Sequence, residues 1–323
     1  MIKDFYYPSC GAGKIRARCW EPDCEPMAVI QLVHGIAEHI ERYDDFAAYL
    51  NRMGYLVVAQ DHMGHGKSMD DSAVRGYFSG GWFAAVEDTY HLLHSTMEQY
   101  PHVPYVLFGH SMGSFLTRTL LAKHPDCGIA GAVICGTGWM PEAVLSMGKL
   151  TASVVCKLHG EHRSSNLLQK LMFGTYNDRI EKPRTEFDWL STVNAVVDAY
   201  IADPLCGFIV SAGLARDMLA GMQFIQKQDT LKQMNRTTPV LFIAGAEDPV
   251  GNYGEGVLRA ANEFRKGGMQ NVSEKLYAHG RHEILNEYNK QEVYNDIVEW
   301  IKKISGRVIV LNNRYTVAIK TLD

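Results

Sequence analysis

From about residue 27 onward, short runs of consecutive apolar residues alternate with longer stretches in which apolar positions return every three or four residues. A run that is apolar on both faces suits a strand buried on both sides, and the 3.6-residue period suits a helix packed by one face. The alternation therefore predicts an α/β fold with a mainly parallel sheet flanked by helices. The predicted strands are 27–33, 55–60, 104–108, 129–135, 239–244 and 271–277. Ahead of them, 5–7 and 15–20 read as an antiparallel hairpin turning at Gly11 and Gly13. Trp82, Val86, Tyr90, Leu93 and Met97 mark the inward face of one helix, which makes them core rather than ligand contacts.

The alternation breaks near Gly138 and resumes near Leu231, leaving a stretch rich in Met, Leu, Phe and Tyr with helical period and no clear strand. This predicts a helical cap, 138–226, inserted into a core made of 1–137 and 227–306. No Gly/Ser-rich or Pro-rich linker sets the stretch off as an independent domain. The last segment, 307–323, holds two β-rich runs around Asn312-Asn313 and reads as a C-terminal extension with a hairpin signal.

Composition narrows the function classes. At 323 residues, 46% hydrophobic and 21% charged, with a formal net charge of −4, the chain is an ordinary globular protein able to bury a large core. It has no block of like charges, which argues against nucleic acid as a partner. The start, MIKDFYYPSC, lacks the basic-then-apolar pattern of a secretory leader, and no apolar run approaches the ~20 residues that span a bilayer. The expectation is a cytoplasmic protein with no transmembrane segment. Its seven cysteines are odd in number and include no CxxC pair, which fits reduced thiols and supports neither a disulfide framework nor structural zinc.

The strongest local signal is YVLFGHSMGS, in which a strand runs into Gly109-His110-Ser111-Met112-Gly113 and then into a helical pattern. In this strand, turn, helix setting a G-x-S-x-G serine projects its Oγ free of the sheet, and the flanking glycines let strand and helix approach closely. The following helix points its N-terminus at the site, so the Met112 amide and the helix dipole favour a developing oxyanion.

A serine hydroxyl needs an imidazole to take its proton and a carboxylate to orient that imidazole, expected here in the order Ser, acid, His. Glu247-Asp248 follows the predicted strand 239–244, where ligand-facing residues collect in open α/β sheets. Asp248 is preferred, with Glu247 as the competitor. Downstream, His279 and His282 both stand near the end of the strand 271–277, and the loop-tip position favours His282 as base.

Opposite, the strand 27–33 ends in His34-Gly35-Ile36-Ala37-Glu38-His39, where a second oxyanion amide is expected. Ile36 N–H is the candidate donor, and His34 reads as a turn-holding hydrogen bonder. Glu38 and Arg42 stand four apart, a spacing at which they can pair. Asp61, His62 and His65 lie close together, but no further ligands of suitable spacing complete a hydrolytic zinc centre. GAGK lacks the spacing and the Ser/Thr of a phosphate loop. No metal or organic cofactor is called for.

Together, HGIAEHIERY, DHMGHGKS, GHSMGS, GAEDPVG and HGRHEILNE resemble the monoacylglycerol lipase and lysophospholipase-like branch of the α/β hydrolases, also described as serine aminopeptidase S33-like, over about residues 1 to 305. The stretch FDWLSTVNAVVDAYIADPLCGF resembles bacterial members. The resemblance implies a triad of Ser111, Asp248 and His282, oxyanion amides at Ile36 and Met112, and a helical cap over the pocket. It also implies ester substrates such as acylglycerols or lysophospholipids, with transient membrane-surface contact. The alternatives are an S33-type aminopeptidase, which would need a cap acid such as Asp198, Asp203, Glu186 or Asp188 for the substrate amine, and a ligand-binding homologue without turnover. Oligomeric state is not legible in the sequence.

Overall fold

The structure is a computed structural model and describes residues 1–69 and 74–319. Its strands are β1 (Ile2–Pro8), β2 (Lys14–Trp20), β3 (Ala28–Val33), β4 (Tyr55–Gln60), β5 (Tyr105–His110), β6 (Gly131–Cys135), β7 (Val240–Gly245) and β8 (Val272–Tyr277). They form one sheet in the order β1-β2-β4-β3-β5-β6-β7-β8. The first two pairings, β1 with β2 and β2 with β4, are antiparallel, and every later one is parallel. The lead-in hairpin closes from Pro8 opposite Lys14, around the two glycines expected to turn it.

The helices are α1 (Asp44–Arg52), α2 (Gly81–Gln99), α3 (Met112–Lys123), α4 (Glu142–His159), α5 (Asn166–Phe173), α6 (Asn194–Ala202), α7 (Ala212–Ile225), α8 (Gln228–Leu231), α9 (Glu255–Lys266) and α10 (Lys290–Ile319). The two-residue period of β3 separates them into layers. Ala28, Ile30 and Leu32 cluster with Phe46 and Leu50 of α1 and with Tyr294 and Val298 of α10. Val29 and Val33 cluster with α2, α3 and α9 on the other face. The predicted helix stripe from Trp82 to Met97 lies on α2 and packs into that second layer.

After β3 the chain builds β4 on one side of it and then crosses to place β5 on the other. Such a switch point opens a crevice at the carboxyl ends of the strands. Ser111, the 34–39 loop, Asp248 and His282 all follow strands that end there.

Between β6 and β7 the described residues form helices, α4 to α8, and short irregular segments. Entry to this stretch is held from below by Arg118, fully buried on α3, which donates to Thr137 Oγ1 at 3.1 Å and to the Gly138 carbonyl at 3.0 Å. Burial pushes this guanidinium down to about 9. On α7, a Cβ at Gly221 would stand 2.3 Å from the Trp82 ring, so this helix packs onto α2 of the core.

The C-terminal hairpin expected over 307–323 does not form in the described part. Helix α10 runs on without a break to Ile319, and 320–323 lie outside the described residues. Extending a helix that is already nucleated needs little local propensity, whereas a two-stranded hairpin on its own is marginal in water.

Candidate active site

Ser111 sits between the end of β5 and the first turn of α3 with φ 54° and ψ −122°. A non-glycine residue in that region is strained by about 1–3 kcal/mol and persists only where its surroundings over-determine it. Here the Ser111 N–H donates to the Cys135 carbonyl at 2.9 Å, and the Ser114 hydroxyl donates to the Ser111 carbonyl at 2.6 Å. The flanking glycines are sterically required. A Cβ on Gly113 would lie 1.9 Å from the Val33 carbonyl oxygen, and one on Gly109 would lie 2.4 Å from Thr117 Oγ1.

Asp248 is completely buried in the loop after β7, and its Oδ1 accepts the Val250 N–H at 2.9 Å. Its Oδ2 lies 2.9 Å from His282 Nδ1, across 34 residues of chain. A carboxylate can only accept, so Nδ1 carries the proton and Nε2 is left as the acceptor of this imidazole. Burial alone would lower the His282 pKa, but the Asp248 charge and hydrogen bond outweigh it and the value is raised. The competing pair is placed elsewhere. His279 is exposed and stands 3.3 Å from Glu247, which is itself half exposed.

In the loop after β3, His34 Nδ1 donates to the Gly35 carbonyl at 2.7 Å, and His34 Nε2 accepts the His62 N–H at 2.9 Å. Burial and the neighbouring His65 hold its pKa well below the usual value, so His34 is a neutral turn-holder. Among the described residues, neither the Ile36 nor the Met112 N–H has an acceptor. Met112 follows Ser111 at the start of α3, and Ile36 lines the same cavity as Ser111.

Asp61, in the histidine-rich loop, is wholly engaged by Arg16 at 3.0 Å and by the Ile40 and Lys67 amides. It organises two loops rather than offering a ligand. His39, Asp203 and Cys206 bring ligand atoms within 4.8 Å of one another. His39 Nε2 and Asp203 Oδ2 already pair at 2.9 Å, a contact that docks the turn after α6 onto the 34–39 loop.

A cavity of about 410 Å³ opens above Ser111 and His282 and is walled by Ile36 on the core side and by Phe173, Leu190 and Phe208 from the stretch between β6 and β7. Trp189 covers the His282 ring at 5.1 Å between centroids. The Leu190 carbonyl accepts the Glu283 N–H at 2.7 Å. Sequence reasoning singled out neither Trp189 nor Glu283. The RHE triplet was visible, but its partners lie about 90 residues upstream in a stretch with no motif of its own.

Residues 24–289 match the family described as serine aminopeptidase, S33. The chain is 29% identical over 300 residues to a monoacylglycerol lipase of Mycolicibacterium smegmatis, covering 91% of this chain and 95% of that one. It is 30% identical over 289 residues to an uncharacterized abhydrolase domain-containing protein of Dictyostelium discoideum, and spans only 27% of that protein's length. Among solved structures, a highly thermostable carboxyl esterase from Bacillus coagulans, in complex with glycerol, superposes with a TM-score of 0.88 at 30% identity. The match covers 94% of this chain and 99% of that one. These likenesses bear out the expected α/β-hydrolase fold and branch.

Proposed function

The chain belongs to the serine aminopeptidase S33 family, and from that premise we propose that it is a carboxylic ester hydrolase acting on monoacylglycerol or lysophospholipid-like lipids through an acyl-enzyme. The observation that carries this reading is the placement of a strained serine and a carboxylate-bound histidine on one cavity. Ser111 Oγ attacks the ester carbonyl while His282 Nε2 takes its proton. The Ile36 and Met112 amides hold the oxyanion, and the imidazolium that forms is stabilised by Asp248, which stays ionised. Collapse expels the alcohol, protonated by His282, and water then releases the acid by the same route. The stretch 138–226 serves as the cap, supplying the apolar wall for an acyl chain.

The aminopeptidase reading requires a free carboxylate for the substrate amine. Asp188 is buried and holds the Arg184 N–H and the Thr185 hydroxyl, Asp198 pairs with Arg184, and Asp203 pairs with His39. Of the four candidates Glu186 lines the cavity. A panel of p-nitrophenyl esters of increasing chain length, set against aminoacyl p-nitroanilides, separates the readings. Esters are expected to turn over many times per protein molecule and the anilides at least about a hundredfold more slowly. Preference for the anilides, or a single slow event with the esters, would overturn the proposal in favour of a peptidase or of a binding protein.

Helix α4 carries Val144, Met147, Leu150, Val154 and Leu158 at three- and four-residue spacing, each 48–69% exposed. Single exposed apolar residues are ordinary, but a continuous stripe flanked by Lys149 and Lys157 suits contact with the lipid surface that supplies the substrate. Replacing Leu150 and Leu158 together by Glu is expected to lower co-sedimentation with phosphatidylcholine vesicles and turnover of vesicle-borne monoacylglycerol. Hydrolysis of a soluble short-chain ester should stay at the wild-type rate. Equal loss on both substrates would remove the stripe from the proposal.

A further inference from the structure

Three charged side chains form a nearly dry cluster beside the site. Arg42 is 13% exposed, Glu38 5% and Glu283 4%, and all three line the cavity. The guanidinium of Arg42 grips Glu283 with two parallel bonds, Nη1 to Oε1 and Nη2 to Oε2, both at 2.7 Å. From Nη1 it also donates to Glu38 Oε2 at 2.7 Å. Its face lies 4.8 Å from the centre of the Tyr200 ring, and the Tyr200 hydroxyl donates to the Ala37 carbonyl at 3.0 Å.

Each carboxylate is committed on its far side to one half of the site. Glu38 Oε1 accepts the Gly35 N–H at 2.6 Å, with the Tyr43 hydroxyl at 2.9 Å. Gly35 immediately precedes the Ile36 amide, and a Cβ on it would lie 3.1 Å from Ser111 Cβ, so a small displacement there is felt at the nucleophile. Glu283 immediately follows His282, and its Oε2 also takes Asn286 Nδ2 at 3.0 Å. Every oxygen of both carboxylates thus has a donor from within the chain, Glu38 Oε1 and Glu283 Oε2 having two each, so both side chains are held in place by the protein itself.

A buried charge triad is a poor way to gain stability, because desolvation offsets most of its attraction and a well-packed apolar replacement often does as well. What the triad supplies here is geometry. A planar guanidinium with fixed forks sets the spacing of two carboxylates, and Arg42 reaches Glu283 across 241 residues of chain.

We propose that Arg42 is a positioning residue that couples the oxyanion loop to the histidine loop through Glu38 and Glu283, so that amide and base reach the substrate in register. The proposal rests on the roles given above to Ile36, Ser111 and His282. Displacement of either loop weakens an interaction made in the transition state and not in substrate binding. The loss therefore falls on kcat.

A double-mutant cycle tests this with a soluble p-nitrophenyl ester. Glu38→Gln, Glu283→Gln and the double variant are compared, each rate being divided by the active sites titrated with a fluorophosphonate. Each single change is expected to lower kcat by about tenfold to a hundredfold with KM within about twofold. The double variant is expected to be no slower than the slower single, because both changes break one coupling. Arg42→Lys keeps the charge but loses the fork, and should reproduce the kcat loss per titrated site if the Gln variants fold poorly. Multiplicative losses in the double variant, a change confined to KM, or unchanged kcat per titrated site would overturn the coupling. A wild-type protein that neither labels nor turns over would instead overturn the hydrolase reading itself.

Discussion

Ser111→Ala is expected to abolish esterase turnover, lowering kcat by about 10⁴-fold to 10⁶-fold, while the protein remains folded. The reason for the kinetic loss is chemical. Without an Oγ there is no acyl-enzyme, and what remains is the activation of water by His282 and the two amides. The reason for the retained fold is that the turn is held by backbone and neighbouring groups: the Ser111 amide on Cys135, Ser114 on the Ser111 carbonyl, and the glycines on either side. Alanine is no more strained than serine at φ 54°. The measurement is kcat on a chromogenic ester with the melting temperature alongside, and fluorophosphonate adduct mapping on the wild type. An adduct on another residue, or wild-type turnover by the alanine variant, would remove Ser111 from the mechanism.

The second large effect is expected from Asp248→Asn, about 10⁴-fold in kcat. An asparagine can turn its amide toward Nδ1, which forces the proton onto Nε2 and leaves the imidazole unable to accept from Ser111. The pH profile carries an independent check. In the wild type the His282 pKa is raised above 6.5 because the Asp248 charge and hydrogen bond overcome burial. The base works when neutral, so kcat/KM should fall as pH drops through that raised value, with a midpoint above 6.5. In the Asn variant burial acts without the carboxylate, and the acid limb of the residual activity should move down. A limb that stays in place would show that another group controls it.

These predictions rest on two kinds of information. The strands were legible because burial on both faces of a parallel sheet leaves runs such as AVIQLV and YLVVAQ, each with a single glutamine and no charge, and the observed ends of the parallel strands lie within two residues of the expected ones. The serine turn was legible because its constraint is local. Close approach of β5, α3 and β3 admits only glycine at 109 and 113, and that requirement is written within five consecutive residues. The acid and the histidine were legible as loops after strands, but not as a pair. Glu247 with His279 and Asp248 with His282 are similarly spaced alternatives, 32 and 34 residues apart, until burial distinguishes them, the first pair being exposed and the second enclosed.

The C-terminal segment shows the opposite failure. Its β-branched runs suggested a hairpin, yet the helix beginning at Lys290 continues to Ile319, since β preference is strongly context-dependent and continuation of an existing helix overrides it. The Glu38 to Arg42 spacing invited a simple helical pair; the two do pair at 2.7 Å, with Glu38 in the loop ahead of the single 3-10 turn Ile40–Tyr43 that carries Arg42. Its further grip on Glu283 had no trace in local pattern.

What the amino-acid sequence determined by itself was therefore the sheet, the strained serine and the carboxyl-end loops that carry the polar residues, because each depends on periodicity or on sterics within one turn. Only the tertiary structure decided which acid meets which histidine, that Trp189 covers the imidazole, and that Arg42 joins its own loop to Glu283, 241 residues away. Those contacts are set by how loops from separate strands close over a common crevice. No short-range pattern records that closure.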